Sequence, residues 1–212
     1  MQITIREPGS AITHFIAMMM AVFAAVPLLV KAGVQSGQEN FLAMAIFMGS
    51  MILLYGASAT YHSVDLTGKS LRVFRKLDHM MIFVLIAGSY TPVCLIVLGG
   101  KLGYTLLALV WGIAAVGMIV KACWITCPKW FSSVIYIAMG WAILFDISIF
   151  QSMSGGAIFL LAAGGLSYTI GGVIYMIKRP NISVAFGFHE LFHIFVLLGS
   201  LFHFLMIFFY VA

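Results

Sequence analysis

GFHELFHIFVLLGSLFHFLMIFFY, residues 187–210, contains one carboxylate, Glu190, no lysine or arginine, and three histidines. About 20 apolar residues are enough to cross a ~30 Å hydrocarbon core as a helix. The stretch is apolar continuously rather than in alternation, which favours a helix over a barrel strand. Working back from it, six more such runs can be drawn, at 13–32, 41–63, 77–98, 103–122, 131–151 and 157–177. The composition agrees: 63% of the 212 residues are hydrophobic and 8% are charged, with a mean hydropathy of +1.13. A water-soluble domain carries roughly 25% charged residues. The expectation is an all-α, polytopic membrane protein, a seven-transmembrane-helix bundle forming a single domain over 1–212. The first run is not a cleavable signal: it is too long, carries His14 near its start, and lacks a small-residue cleavage pattern.

Basic residues sort to one set of connections. Arg6, Lys69, Arg72, Arg75, Lys76, Lys121, Lys129, Lys178 and Arg179 fall on one side, and only Lys31 and Lys101 on the other. The positive-inside rule then places the N-terminus in the cytoplasm and the C-terminus outside. The net charge of +5 is explained by topology and contact with anionic membrane lipids. It does not point to nucleic acid, which would need a basic patch on a soluble domain. Pro27 and Pro92 lie inside spans and should kink them. Cys94, Cys123 and Cys127 sit within or at the cytoplasmic side, where thiols stay reduced. Cys123 and Cys127 are spaced i, i+4 rather than as a CxxC hook, and read as packing residues.

Ionisable groups inside a membrane are costly and ask for a reason. With this orientation His14, His62, Asp78, His79, His189 and His193 all fall near the cytoplasmic boundary. His203 lies about 15 Å deeper than His193, at ~1.5 Å per residue. A single histidine at a helix end is most simply one that reaches interfacial water, but the opposite boundary has none. His189 and His193 are i, i+4, on one face of one helix, and Ser58 and His62 repeat that spacing. Two imidazoles from one helix and a third from another suit zinc with an open position. Such a site keeps water as fourth ligand and lowers its pKa to about 7. Asp78 is then the group to orient or deprotonate that water, with Ser58 hydrogen-bonded beside it.

His189-Glu190-Leu191-Phe192-His193 also reads HExxH, in which the glutamate is the general base of a metalloprotease. An intramembrane protease should add an aspartate ligand in a glycine-flanked motif, whereas Leu77-Asp78 is followed by His79. That reading is the runner-up. Haem is weaker still: His189 and His203 are suitably separated, but no second helix offers a matching pair.

At these residues the chain resembles the hemolysin III family, the bacterial branch of the progestin and adipoQ receptor family, over nearly its whole length. Glu7 and His14 match a first motif in which Ser10 replaces the usual asparagine. Ser58-Ala-Thr-Tyr-His62, Leu77-Asp78-His79 and Ile86-Ala-Gly-Ser-Tyr-Thr-Pro92 match a second. His189, His193, Val196-Leu-Leu-Gly-Ser200 and His203-Phe204 match a third. The resemblance implies seven helices with a cytoplasmic N-terminus in the bacterial cell membrane. It implies zinc on His62, His189 and His193, with Asp78 contacting the zinc-bound water and ranked above Glu190 as base. Through eukaryotic relatives and the alkaline ceramidases it implies hydrolysis of a lipid amide or ester. The competing class is a non-enzymatic sensor or scaffold of membrane state, with zinc tying helices together. A closed metal shell favours the second class, and an open position beside a lipid-sized cavity the first.

Overall fold

In the computed structural model the chain is described at residues 5–35, 37–145, 148–183 and 186–212, and among these no strand occurs. The helices are α1 (Pro8–Gln35), α2 (Gly37–Ser63), α3 (Gly68–Pro92), α4 (Gly100–Cys123), α5 (Lys129–Gly140), α6 (Ser148–Ser152), α7 (Gly155–Ile177) and α8 (Phe188–Tyr210). Among the described residues, six stretches are long and apolar enough to cross a membrane: α1, α2, α3 with its continuation to Leu98, α4, α7 and α8.

Local chemistry sets the boundaries. Pro8 opens α1 where its missing N–H costs nothing. Pro92 closes α3, but the chain continues as a π-helical turn over Val93–Leu98, a local adjustment that re-satisfies backbone groups freed by a proline in a membrane helix. The reversal into α4 uses Gly99 and Gly100, both at positive φ, which glycine adopts without steric penalty. Ser154 caps α7 by accepting a hydrogen bond from the Ala157 N–H.

The expected run at 131–151 is not one helix. It is α5, then a 3₁₀ turn at Ala142–Phe145, then α6; residues 146 and 147 lie outside the described chain. The cause is tertiary. The Tyr90 hydroxyl on α3 donates to the carbonyls of Gly140 (2.7 Å) and Met139 (3.0 Å) and accepts from the Ile143 N–H (3.0 Å). One side chain thus takes over backbone groups that the break releases, the condition for irregular backbone inside a membrane bundle.

The described ends of this region lie apart along α7 and α8. At its start the Lys129 ammonium lies over the rings of Tyr175 and Phe188, at the end of α7 and the beginning of α8. Beyond it, α7 begins at the opposite end, where a Cβ on Gly156 would fall 2.3 Å from the Tyr210 hydroxyl. α7 and α8 then pack antiparallel through small residues. Gly156 meets Tyr210, Gly164 meets the His203 ring and Gly171 meets Phe195, the close approach expected of membrane helices.

A similar contact joins α2 to α3. A Cβ on Gly88 would fall 2.2 Å from Ser50 Oγ and 2.5 Å from Ser50 Cβ, whereas one on Gly49 meets nothing within 4 Å. Gly88→Ala is therefore expected to destabilise the bundle by about 1–3 kcal/mol through overpacking. Gly49→Ala should be neutral or gain up to about 1 kcal/mol from helix propensity. Thermal unfolding of both variants in one detergent checks the pair; equal melting temperatures would refute the packing argument.

Candidate metal centre

Four helix ends meet at one end of the bundle. His62 lies at the last turn of α2, and His189 and His193 on the first two turns of α8. Candidate ligand atoms of these three imidazoles all lie within 4.8 Å of one another. His62 and His193 are almost completely buried. The Nε2 atoms of His62 and His189 are 3.2 Å apart. Two nitrogens bound at 2.0–2.1 Å to one tetrahedral zinc would be roughly 3.3 Å apart.

Hydrogen bonds from α1 orient two of the rings. His62 Nδ1 bonds the Glu7 carboxylate, so this nitrogen carries the proton and Nε2 presents its lone pair to the cluster. The backbone repeats the link, with the Glu7 N–H donating to the His62 carbonyl at 3.0 Å. His193 Nδ1 lies 3.4 Å from Thr13 Oγ1. That hydroxyl's own proton is engaged by the Gly9 and Ser10 carbonyls, so the ring is the donor here too and its Nε2 is free. A carboxylate or hydroxyl holding the far nitrogen is the usual support of a metal-bound imidazole. The hydrogen bond from His62, with the charge of Arg6 adding to it, outweighs partial burial and holds the Glu7 carboxyl down to about 2. Glu7 is therefore an anion at neutral pH. Three converging neutral nitrogen donors, two with their tautomer fixed from behind, fit a zinc ion with a position left over.

The sequence places His14 at this end of the bundle without making it a ligand, and the structure packs it against the ligands. Its ring stacks on His193 at 3.6 Å and 6°, and meets Tyr55 edge-on. It is buried, and neither ring nitrogen has a hydrogen-bond partner. Ser58 is buried as well, with its hydroxyl beside the Asp78 carboxylate. All three line a cavity of about 100 Å³ that continues past His189 and His193 down to Tyr168 and His203. A second space of about 130 Å³ shares Ser89, Tyr90, Trp141, Gly165 and His203 with it and carries on toward Met206. The walls are otherwise mostly apolar. Such a space, mostly apolar with its ionisable cluster at one end, suits a molecule with a polar reacting group and a hydrocarbon tail.

The remaining residues singled out from sequence divide. Asp78 is buried, lies within electrostatic reach of His62, and makes no ion pair among the described residues. Glu190 is occupied elsewhere. One carboxylate oxygen accepts from Ser10 Oγ at 2.7 Å and the other from the Gly187 N–H at 2.9 Å, so it caps α8 and ties it to α1. His203 is too deep to join the cluster and contacts the Leu161 carbonyl at 3.4 Å. His79 lines the cavity beside Asp78. Glu7, Ser10 and His14, spaced i, i+3 and i+7, share one face of α1. That spacing is the signal by which a supporting role for the first motif could have been found without coordinates.

The chain is similar to known proteins over nearly its whole length. A family model described as "Haemolysin-III related" matches residues 2–204. A protein named "Hemolysin-3" from Bacillus cereus is 35% identical over 206 residues, covering 97% of this chain and 91% of the relative. A "Hemolysin-3 homolog" from Bacillus subtilis (strain 168) is 35% identical over 209 residues, covering 98% and 95%.

Proposed function

The chain belongs to the haemolysin-III-related family, and from that premise we propose that its histidine cluster holds zinc and serves hydrolysis of an amide or ester bond in a membrane lipid. The observation that carries the reading is the convergence of three imidazoles at the polar end of an otherwise apolar cavity, with Asp78 and Ser58 on its wall. His62, His189 and His193 would hold the ion. When bound, zinc supplies Lewis acidity toward a carbonyl oxygen and toward water.

The chain's own residues account for the rest. Asp78 is the general base: it takes a proton from the attacking water as the water oxygen bonds to the acyl carbon. It returns that proton to the leaving nitrogen or oxygen as the acyl bond breaks. Ser58 Oγ is placed to hold Asp78 or the water. A ring N–H of His14 is available to the substrate's polar group, and the apolar walls exclude bulk water. Kinship with the progestin and adipoQ receptor family, and through it with lipid amide hydrolysis, is part of the same proposal. The test is metal content together with fatty acid release from a panel of N-acyl and O-acyl lipids in nanodiscs.

A second reading is favoured by one specific arrangement. Glu7–His62, His14–His193 and Ser10–Glu190 all join α1 to α2 or α8 at the cluster. Zinc there would clip α2 to α8, with α1 bound behind them, in a sensor or scaffold that does no chemistry.

For topology, we propose that the broken segment from Lys129 to Ser152 is a seventh crossing. It leaves one end of the bundle and reaches the other, so the chain alternates sides throughout. The excess of lysine and arginine at the cluster end supports a cytoplasmic side for that end and for the N-terminus, in a bacterial cell membrane. Reporter fusions at Gly68 and at Gly99 should report opposite sides, cytoplasmic at Gly68. Same-side signals would remove the assigned topology.

A further inference from the structure

A second polar cluster lies away from the histidines, where α4 ends and α5 begins. Lys121, in the last turn of α4, is 4% exposed. Its ammonium donates to Ser132 Oγ at 2.5 Å and Cys127 Sγ at 3.2 Å, and these two lie 3.3 Å apart. Both partners are formally neutral. Among the described residues no carboxylate lies within ion-pair distance of Lys121. Burying an ammonium costs several kcal/mol unless a counter-charge accompanies it. The fold thus supplies hydrogen-bond acceptors for this lysine but no counter-charge.

The trio forms one end of a space of about 590 Å³ between α3, α4 and α5. Its remaining walls are apolar and small, including Leu109, Gly112, Ile113, Val116 and Ile135. From Lys121 to Ala108 along α4 is about 20 Å at 1.5 Å per residue. One leaflet of a ~30 Å hydrocarbon core is about 15 Å deep. The groove can therefore take an extended acyl chain from the leaflet that holds Lys121. Lys76 donates to the Ala122 carbonyl at the same helix end.

We propose that this groove is a binding site for an anionic glycerophospholipid, its phosphate paired with Lys121 and one acyl chain lying along Gly112 and Val116. Charge complementarity selects the occupant. The pocket lacks one negative charge and offers length and apolarity for a chain, which a soluble anion would leave unfilled. The site is separate from the histidine centre, and the proposal does not depend on the metal or on hydrolysis.

The experiment uses the full-length protein, delipidated in detergent. It is titrated with phosphatidylglycerol or phosphatidylcholine of the same chains, and bound lipid is counted by native mass spectrometry. Wild type should prefer phosphatidylglycerol by roughly five- to tenfold, the scale of one lysine meeting a net negative headgroup rather than one neutralised by choline. Lys121→Met should abolish the preference and Lys121→Arg should keep it. Gly112→Trp, which fills the groove without touching the lysine, should lower retention of both lipids. Lys69→Met on an exposed stretch is the control and should change nothing. An undiminished preference in Lys121→Met, or an equal loss in Lys69→Met, would overturn the site. So would wild type lacking any preference while Cys127 alkylates rapidly at neutral pH, because the counter-charge would then be an internal thiolate.

Discussion

His193→Ala is expected to strip the protein of its metal, while His203→Ala leaves the metal in place. Wild type purified without chelator should hold about one zinc per chain, because three neutral imidazoles facing one point match the ion's tetrahedral preference. Removing His193 leaves two nitrogens and exposes the stacked face of His14, which has no tautomer-fixing partner to make it a substitute ligand. His203 lies on the same helix but three turns deeper, against Gly164 and the Leu161 carbonyl. Its loss should empty space in the cavity without touching the donors. Glu7→Gln separates ligand from support. It keeps the three nitrogens but replaces the anion behind His62 with a neutral amide, and losses of about 10–100-fold in metal affinity follow from such changes. Metal content by mass spectrometry, with a chelator titration for affinity, reads all three. Equal metal loss from His193→Ala and His203→Ala would defeat the ligand assignment.

What could be read in advance depended on how local its cause was. The span at 187–210 was legible because apolar length alone decides it. The i, i+4 histidine pair was legible because helical periodicity puts the two on one face. The break at Gly140 was not, because its cause is the hydroxyl of Tyr90, fifty residues earlier in the chain and on another helix. Glu190 shows the limit of a short motif. A glutamate in the first turn of a helix satisfies HExxH and a helix cap equally well, and only its hydrogen bonds to Ser10 and Gly187 tell them apart. Lys121 looked like any cytoplasmic-side lysine in a charge count. Its burial against Cys127 and Ser132 arises from how α5 packs on α4, which no window of sequence contains.

Asp78→Asn is the change in which the two functional readings diverge most. Asp78 reaches the polar end of the cavity from α3, a helix that contributes no candidate ligand. Replacing its carboxylate with an amide keeps its shape and removes its basicity. If the protein is a hydrolase, zinc content and fold should be retained and fatty acid release should fall by roughly 10²–10⁴-fold, the usual cost of losing a general base. If zinc only clips helices, the same change should alter neither metal nor function. Glu190→Gln is the matched comparison. It weakens the charge-assisted bonds from Ser10 and Gly187, so a loss of about 1 kcal/mol in stability is expected with activity nearly intact. Activity lost in Glu190→Gln but kept in Asp78→Asn would restore the HExxH mechanism. Zinc-loaded wild type that releases nothing from any lipid in a broad panel would favour the scaffold. The hydrolase reading expects the loss at Asp78, because its carboxylate is unpaired and faces the cavity while that of Glu190 is bonded at both oxygens.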